Sequence, residues 1–221
     1  MSLIELSHEI VDGAITYRGL PAPCVSDFIS HQDSGQHYDN QASFHIGKIE
    51  MVFNTGTYID SPFHRYPDRE DISQIGLDRV ANIPGLVVFP SKDKRAIGKE
   101  NFTNEEISGK AVLVCTGWSR HWGTDHYFDG HPHLTEDAAN FLKEQGALLV
   151  GIDSLNIDDT QDPRRPVHTT LLEAGIPIVE HLCGVERLPQ SGFHFFAAPI
   201  RVRGAGSFPV RAFAIVDKHK A

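Results

Sequence analysis

"LTEDAANFLKEQGALLVGID", residues 134–153, decides the fold class. Thr135 stands where a helix N-cap belongs, Glu136 and Asp137 follow it, and Gly146 stands where a C-cap belongs. Ala138, Phe141 and Leu142 fall on one face, so 134–146 reads as an amphipathic helix. It runs straight into the apolar "ALLVGID", a buried strand, and the earlier apolar run "AVLVCTG" (111–117) is another. Strand, helix and strand form an α/β unit.

The pattern extends outward from this unit. "GLVVFP" (85–90) is a further buried strand, "HTTLLEAG" (168–175) a shorter helix ending at Gly175, and "IPIVEHL" (176–182) the strand after it. Residues 193–216 hold two or three strands around a Gly-rich turn at 204–206. Toward the N-terminus, "LIELSHEI" (3–10) reads as a strand, followed by a Gly-, Pro- and Asp-rich loop to about residue 40. "ASFHIGKIEMVFN" (42–54) forms one or two strands that lead into "NTGTYIDSPFHRYPD" (54–68). No repeat or long linker divides the chain, so residues 1–221 are expected to form a single α/β domain whose last residues, "DKHKA", fray.

Composition narrows the function. With 40% hydrophobic and 22% charged residues the chain can bury a core. A net charge of -9 and short, interrupted basic stretches ("RRP" at 164–166, "SKDKR" at 91–95) argue against nucleic acid. No run of eighteen apolar residues and no basic-then-apolar start appears, so neither a membrane span nor export is expected. Cys24, Cys115 and Cys183 are scattered without a CxxC, which favours reduced thiols and a cytoplasmic setting. Histidine, at 13 residues, is the outlier, and imidazole serves metal binding and proton transfer.

Two clusters concentrate chemistry. Pro62, between Asp60 and His64, disfavours a helical Ser61, so this loop turns and can aim a carboxylate and an imidazole at one point. Gly56 permits a backbone closed to other residues. The plainer alternative is an Asx-turn at Asp60 and an exposed His64. In the second cluster, "GIDSLNIDD" (151–159) ends a buried strand in polar residues, and His168 and Glu180 follow. Glu180 lies among Ile176, Ile178, Val179 and Leu182, so it needs a metal, a cation or a hydrogen-bond network. A salt bridge to Arg187 or Arg201 would also meet that need. His181, next along the strand, should face the other way and be structural. Arg65 suits a substrate carboxylate, or pairs with Asp68 or Glu70. "WSRHWGTDHYFDGHPH" (118–133) suits an aromatic lid over a flat substrate, or a subunit interface.

Together, Gly56, Thr57, Asp60, Pro62 and His64, then Gly151, Asp153 and Ser154, then His168 and Glu180, resemble the metal-dependent cyclase family, which includes bacterial kynurenine formamidase and isatin hydrolase. The resemblance implies a swivelling β/β/α fold, assembly into a homo-oligomer (dimer or tetramer), and hydrolysis of a small amide, formamide or lactam by metal-activated water. It implies Asp60, His168 and Glu180 as metal ligands and His64 as general acid/base. The family motif, His-x-Gly-Thr-His-x-Asp-x-Pro-x-His, is broken at its two leading histidines, which are Asn54 and Tyr58 here. Asn and a phenol are poor ligands for a borderline metal, so one divalent ion, Zn or Mn, is expected rather than two. Tyr58 is then a candidate catalytic group, and Asn54, Arg65 and Trp118 candidate substrate contacts. Two alternatives remain: a metal-free acid/base enzyme of lyase or isomerase type using Tyr58, Asp60 and His64, and a non-catalytic relative.

Overall fold

The computed structural model describes residues 1–91 and 94–216; the "DKHKA" end and part of "SKDKR" lie outside the described residues. Along the chain run β1 (Ser2–Glu5), β2 (Cys24–Ile29), α1 (His31–Gln36), β3 (Ile46–Glu50), β4 (Tyr58–Asp60), β5 (Ile83–Val88), β6 (Ala96–Ile97), β7 (Ala111–Val114) and β8 (His133–Leu134). Then come α2 (Glu136–Glu144), β9 (Leu149–Ile152), α3 (Pro166–Glu173), β10 (Ile178–Glu180), β11 (Ser191–Phe196), β12 (Ser207–Pro209) and β13 (Phe213–Val216).

The main sheet has nine strands in the order β1, β13, β11, β5, β7, β9, β10, β4, β12. β5, β7, β9 and β10 run parallel in the middle, and the outer pairs are antiparallel. Alternation along β7 explains its unbroken apolar sequence. Ala111 and Leu113 enter the core cluster of Ile59, Val87 and Val179, while Val112 and Val114 enter the one built with Leu142 of α2 and Leu171 of α3. Beyond its end strands the sheet curls back on itself: Ser7 bridges to Leu182, the Leu6 amide donates to the Ala212 carbonyl at 2.9 Å, and the Val210 amide to that of Thr57 at 2.9 Å. The α/β class and the swivelling β/β/α arrangement are those expected.

Local boundaries differ instructively. Thr135 does occupy the N-cap of α2, but its hydroxyl bonds the Ile97 carbonyl and Asp137 rather than a helix N–H. α3 starts at Pro166, earlier than its apolar pattern suggests, because a proline in the first turn gives up only an amide the helix would leave unpaired. The expected loop before residue 40 contains β2 and α1. β2 exists through its pairing with β3, a long-range contact that leaves no local signature. β3 does not continue into β4, since residues 51–57 intervene.

Candidate metal centre

β4 lies between β10 and β12, with Glu180 opposite Tyr58 and both Ile178 and Ser207 opposite Asp60. Ile59 points into one core, so Tyr58 and Asp60 share the other face of the strand. Glu180 shares its face with Ile178, which packs against α3. The strand pattern thus delivers two carboxylates beneath the helix that carries His168. After Asp60 the chain stays extended at Ser61 and makes a single 3-10 turn over Pro62–His64. Gly206 passes close enough that a β-carbon there would lie 2.9 Å from His64 Cα. Gly56, entering β4, takes a φ of +66°, the left-handed conformation that favours glycine.

His168 is the centre of the arrangement. Its Nδ1 contacts Asp158 Oδ2 at 2.6 Å, which leaves Nε2 facing Asp60 Oδ2 and Glu180 Oε1, each at 3.6 Å. Asp158 is fixed in turn by the amides of Val167 (2.7 Å) and His168 (3.0 Å). Burial alone would favour a neutral ring, but Asp158, Asp60 and Glu180 outweigh it and raise His168 to about 10. Three buried carboxylates here require a compensating positive charge.

Asp60 and Glu180 are fully buried. Asp60 Oδ1 accepts from Ser207 Oγ, which also meets His64 Nδ1 at 2.9 Å and accepts from Asn54 Nδ2 at 3.2 Å. Asp60 Oδ2, although buried, has no hydrogen-bond partner. Burial opposes its ionisation, yet His64 and His168 hold it below the usual carboxylate range. Glu180 accepts from Tyr58 Oη, Asn156 Nδ2 (3.2 Å) and the Ile157 amide (2.6 Å), and burial still pushes its pKa up. Burial and the Glu180 charge keep the Tyr58 phenol protonated.

An orphaned carboxylate oxygen facing an oriented imidazole is what a divalent cation would complete, and oxygen and nitrogen donors suit Zn or Mn. Asp60, His64 and His168 bring one ligand atom each within 4.8 Å of one another. At the atomic level His64 serves the opposite side of Asp60 from His168: its Nδ1 faces Oδ1 at 3.6 Å, and its side chain is 36% exposed. The orphaned Oδ2 faces His168 Nε2, the nitrogen that also faces Glu180 Oε1; Glu180 is not part of the 4.8 Å group.

His64, Arg65, Asn156, Arg165 and His168 line one cavity of about 160 Å³; Trp118 is not among them, its indole N–H donating instead to the Tyr127 carbonyl at 3.0 Å. Arg65 bonds Thr169 Oγ1 and the Arg164 carbonyl rather than Asp68 or Glu70. Arg187 and Arg201 bond backbone carbonyls, so neither meets Glu180. Asp153 anchors the Thr116 and Gly117 amides (2.8 and 2.7 Å), and Ser154 the Pro132 carbonyl (2.6 Å). His181 leaves the strand at φ +57° and is buried near Tyr127 Oη, Trp122 and the Tyr58 ring. Asp158, Asn156, Ser207 and Arg165 were not singled out from the sequence. Asp158 stood inside the flagged "NIDD", but nothing separated it from its acidic neighbour Asp159.

The fold and this pocket define an α/β protein with a buried carboxylate–imidazole site at the end of a curled sheet. The Cyclase family model, described as a putative cyclase, matches residues 4–159, and the chain belongs to that family. It is similar to the kynurenine formamidase of Bacillus cereus, 30% identical over 174 residues that cover 79% of this chain and 81% of that protein. Among solved structures it is similar to an isatin hydrolase bound to the product analogue thioisatinate (TM-score 0.85, 20% identity, 98% of this chain and 93% of that one). It also resembles a predicted metal-dependent hydrolase from Bacillus stearothermophilus (TM-score 0.77, 25% identity, 96% and 97%).

Proposed function

We propose that the chain is a metal-dependent hydrolase, similar to arylformamidases, of a small amide, formamide or lactam carbon–nitrogen bond. The observation that supports this most is the orphaned Asp60 Oδ2 facing His168 Nε2 at 3.6 Å, with Glu180 Oε1 on the same nitrogen at 3.6 Å although it lies outside the tighter Asp60, His64 and His168 group, in a chain that shares 30% identity with a kynurenine formamidase. A divalent ion, Zn or Mn, bound by these three would supply water ionised near neutral pH and a Lewis acid for the carbonyl. Asp158 holds His168 Nδ1, so that the ring presents Nε2 to the pocket, where an ion would displace its proton. Ser207 orients the His64 ring at the cavity wall, and His64 is the group that accepts a proton from water and returns it to the leaving nitrogen. Tyr58 keeps its own proton and steadies Glu180, and Asn54 steadies Ser207. The two departures from the family motif therefore replace imidazoles with neutral donors aimed at the site's own hydrogen-bond network. The exposed apolar side chains Val25, Phe28, Ile46 and Ile49 on the β2–β3 ribbon favour assembly into a dimer or tetramer.

A metal-free acid/base enzyme is favoured by one observation: His168 can carry the compensating charge as a proton. Asn54→His/Tyr58→His separates the readings of the loop. A gain of about one further ion per chain would fit the reading in which two ligands were lost; a drop in turnover with no added ion would fit direct roles for Tyr58 and Asn54.

A further inference from the structure

Two adjacent arginines precede α3 and are used differently. Arg164 is exposed and ion-paired, with Asp162 at 2.7 Å and Glu136 at 3.5 Å. Arg165 turns toward the cavity, where its Nη1 donates to Asn156 Oδ1 at 2.7 Å. Arg65 lines the same cavity, with Nε on Thr169 Oγ1 at 3.2 Å and Nη2 on the Arg164 carbonyl at 2.9 Å. All of these acceptors are neutral, and among the described residues neither Arg65 nor Arg165 forms an ion pair.

That is an unusual economy for a chain of net charge -9, in which acidic partners are plentiful. Arg165 also sits at φ 50°, ψ 58°, a left-handed conformation that non-glycine side chains rarely adopt. Immediately downstream Pro166 opens α3, and Asp158 accepts from the amides of Val167 and His168. Arg165 feels the charge of Asp162, but Arg164 holds that carboxylate, and the one hydrogen bond of Arg165 goes to a neutral amide, so its guanidinium keeps donors free at the cavity wall for an anion. Neither Asp60 nor Glu180 forms an ion pair with Arg165 or Arg65; both carboxylates face His168.

We propose that Arg165, with Arg65 beside it, forms a subsite for a carboxylate carried by the substrate, so that the site selects acidic amides over neutral ones. Cleavage of the amide rests on the function proposed above; binding of the carboxylate does not.

The test pairs two formamides that differ by that group, N-formylanthranilate and formanilide, with direct titration of anthranilate and aniline. The wild-type protein should favour N-formylanthranilate in kcat/KM by about tenfold or more, the effect of one charge-assisted hydrogen bond. Arg165→Gln should collapse that preference through KM and weaken anthranilate binding by a similar factor, with Arg165→Lys intermediate and Arg65→Gln acting in the same direction. An unchanged preference in Arg165→Gln, or no anthranilate binding to wild type, overturns the subsite. Hydrolysis of both probes without preference overturns the subsite and leaves the hydrolase reading intact. Arg165-dependent anthranilate binding without hydrolysis of either formamide supports the subsite and removes the hydrolase reading.

Discussion

His168 and His181 are both buried, and both flank the hydrogen bond between Tyr58 and Glu180, yet their surroundings make opposite demands. His168 faces three carboxylates and is pushed up to about 10. His181 lies among the rings of Tyr58, Trp122 and Tyr127, and burial drives it down to about 3. His8, stacked on Trp122 at 3.9 Å, follows it down to about 4. The same side chain is thus a charged ring among carboxylates in one pocket and an aromatic packing element in the other. What surrounds the ring sets its role.

The largest contrast should appear on replacement. His168→Ala or Asp60→Ala should abolish tight metal binding and lower turnover at least about a thousandfold, since the proposed nucleophile is lost. His181→Asn, which tolerates the left-handed backbone, should cost about 2–4 kcal/mol of stability by denaturant unfolding while metal stays bound. If His181→Asn lost metal as completely as His168→Ala, the two pockets would not be separable.

Next in size is His64→Gln. As acid/base, its loss should reduce kcat by about a hundredfold or more with metal stoichiometry unchanged. Loss of the ion instead would make His64 a ligand, in keeping with its proximity to Asp60 and His168. Asp158→Asn, which removes the partner that orients His168, should weaken metal binding by about 10–100-fold in a competition titration.

In pH dependence the two histidines are contrasted by sign rather than size. His181 has a folded value below the ordinary 6.5, so the unfolded chain takes protons first, and its contribution, full above 6.5, is lost as pH falls toward about 3. His168 has a raised value, so its contribution is full below 6.5 and is lost as pH rises through about 10. Chelator-treated protein should therefore lose Tm toward acid through His181 and toward alkali through His168, joined from about pH 6 to 7 by Asp153 and Glu180, and added Zn should flatten the alkaline side. An alkaline limb identical with and without Zn would break the link between His168 and the ion.

The sequence exposed one of these pockets far better than the other. Local patterns carried the parallel strands, α2 and the buried state of Glu180, because apolar periodicity and caps are read over a few residues. Asp60, His64 and Glu180 could be singled out because a carboxylate among isoleucines and a proline between two polar groups are local anomalies, whereas the ligand role of His168 was legible only through the family resemblance. Asp158, Ser207 and Arg165 owe their places to contacts between distant segments, and Ser207 in particular is a common residue in an ordinary strand that meets Asp60 only through sheet pairing. The aromatic pocket was visible as "WSRHWGTDHYF", but its burial depends on His8 and His181 arriving from elsewhere, so a lid and a packed box looked alike.

The measurement that bears most directly on this account is metal content by plasma mass spectrometry, on wild type and His168→Ala, after dialysis against metal-free buffer and after separate addition of Zn and Mn. The account predicts about one retained ion per wild-type chain and none in the variant. No uptake by wild type, or equal uptake by both, would contradict it.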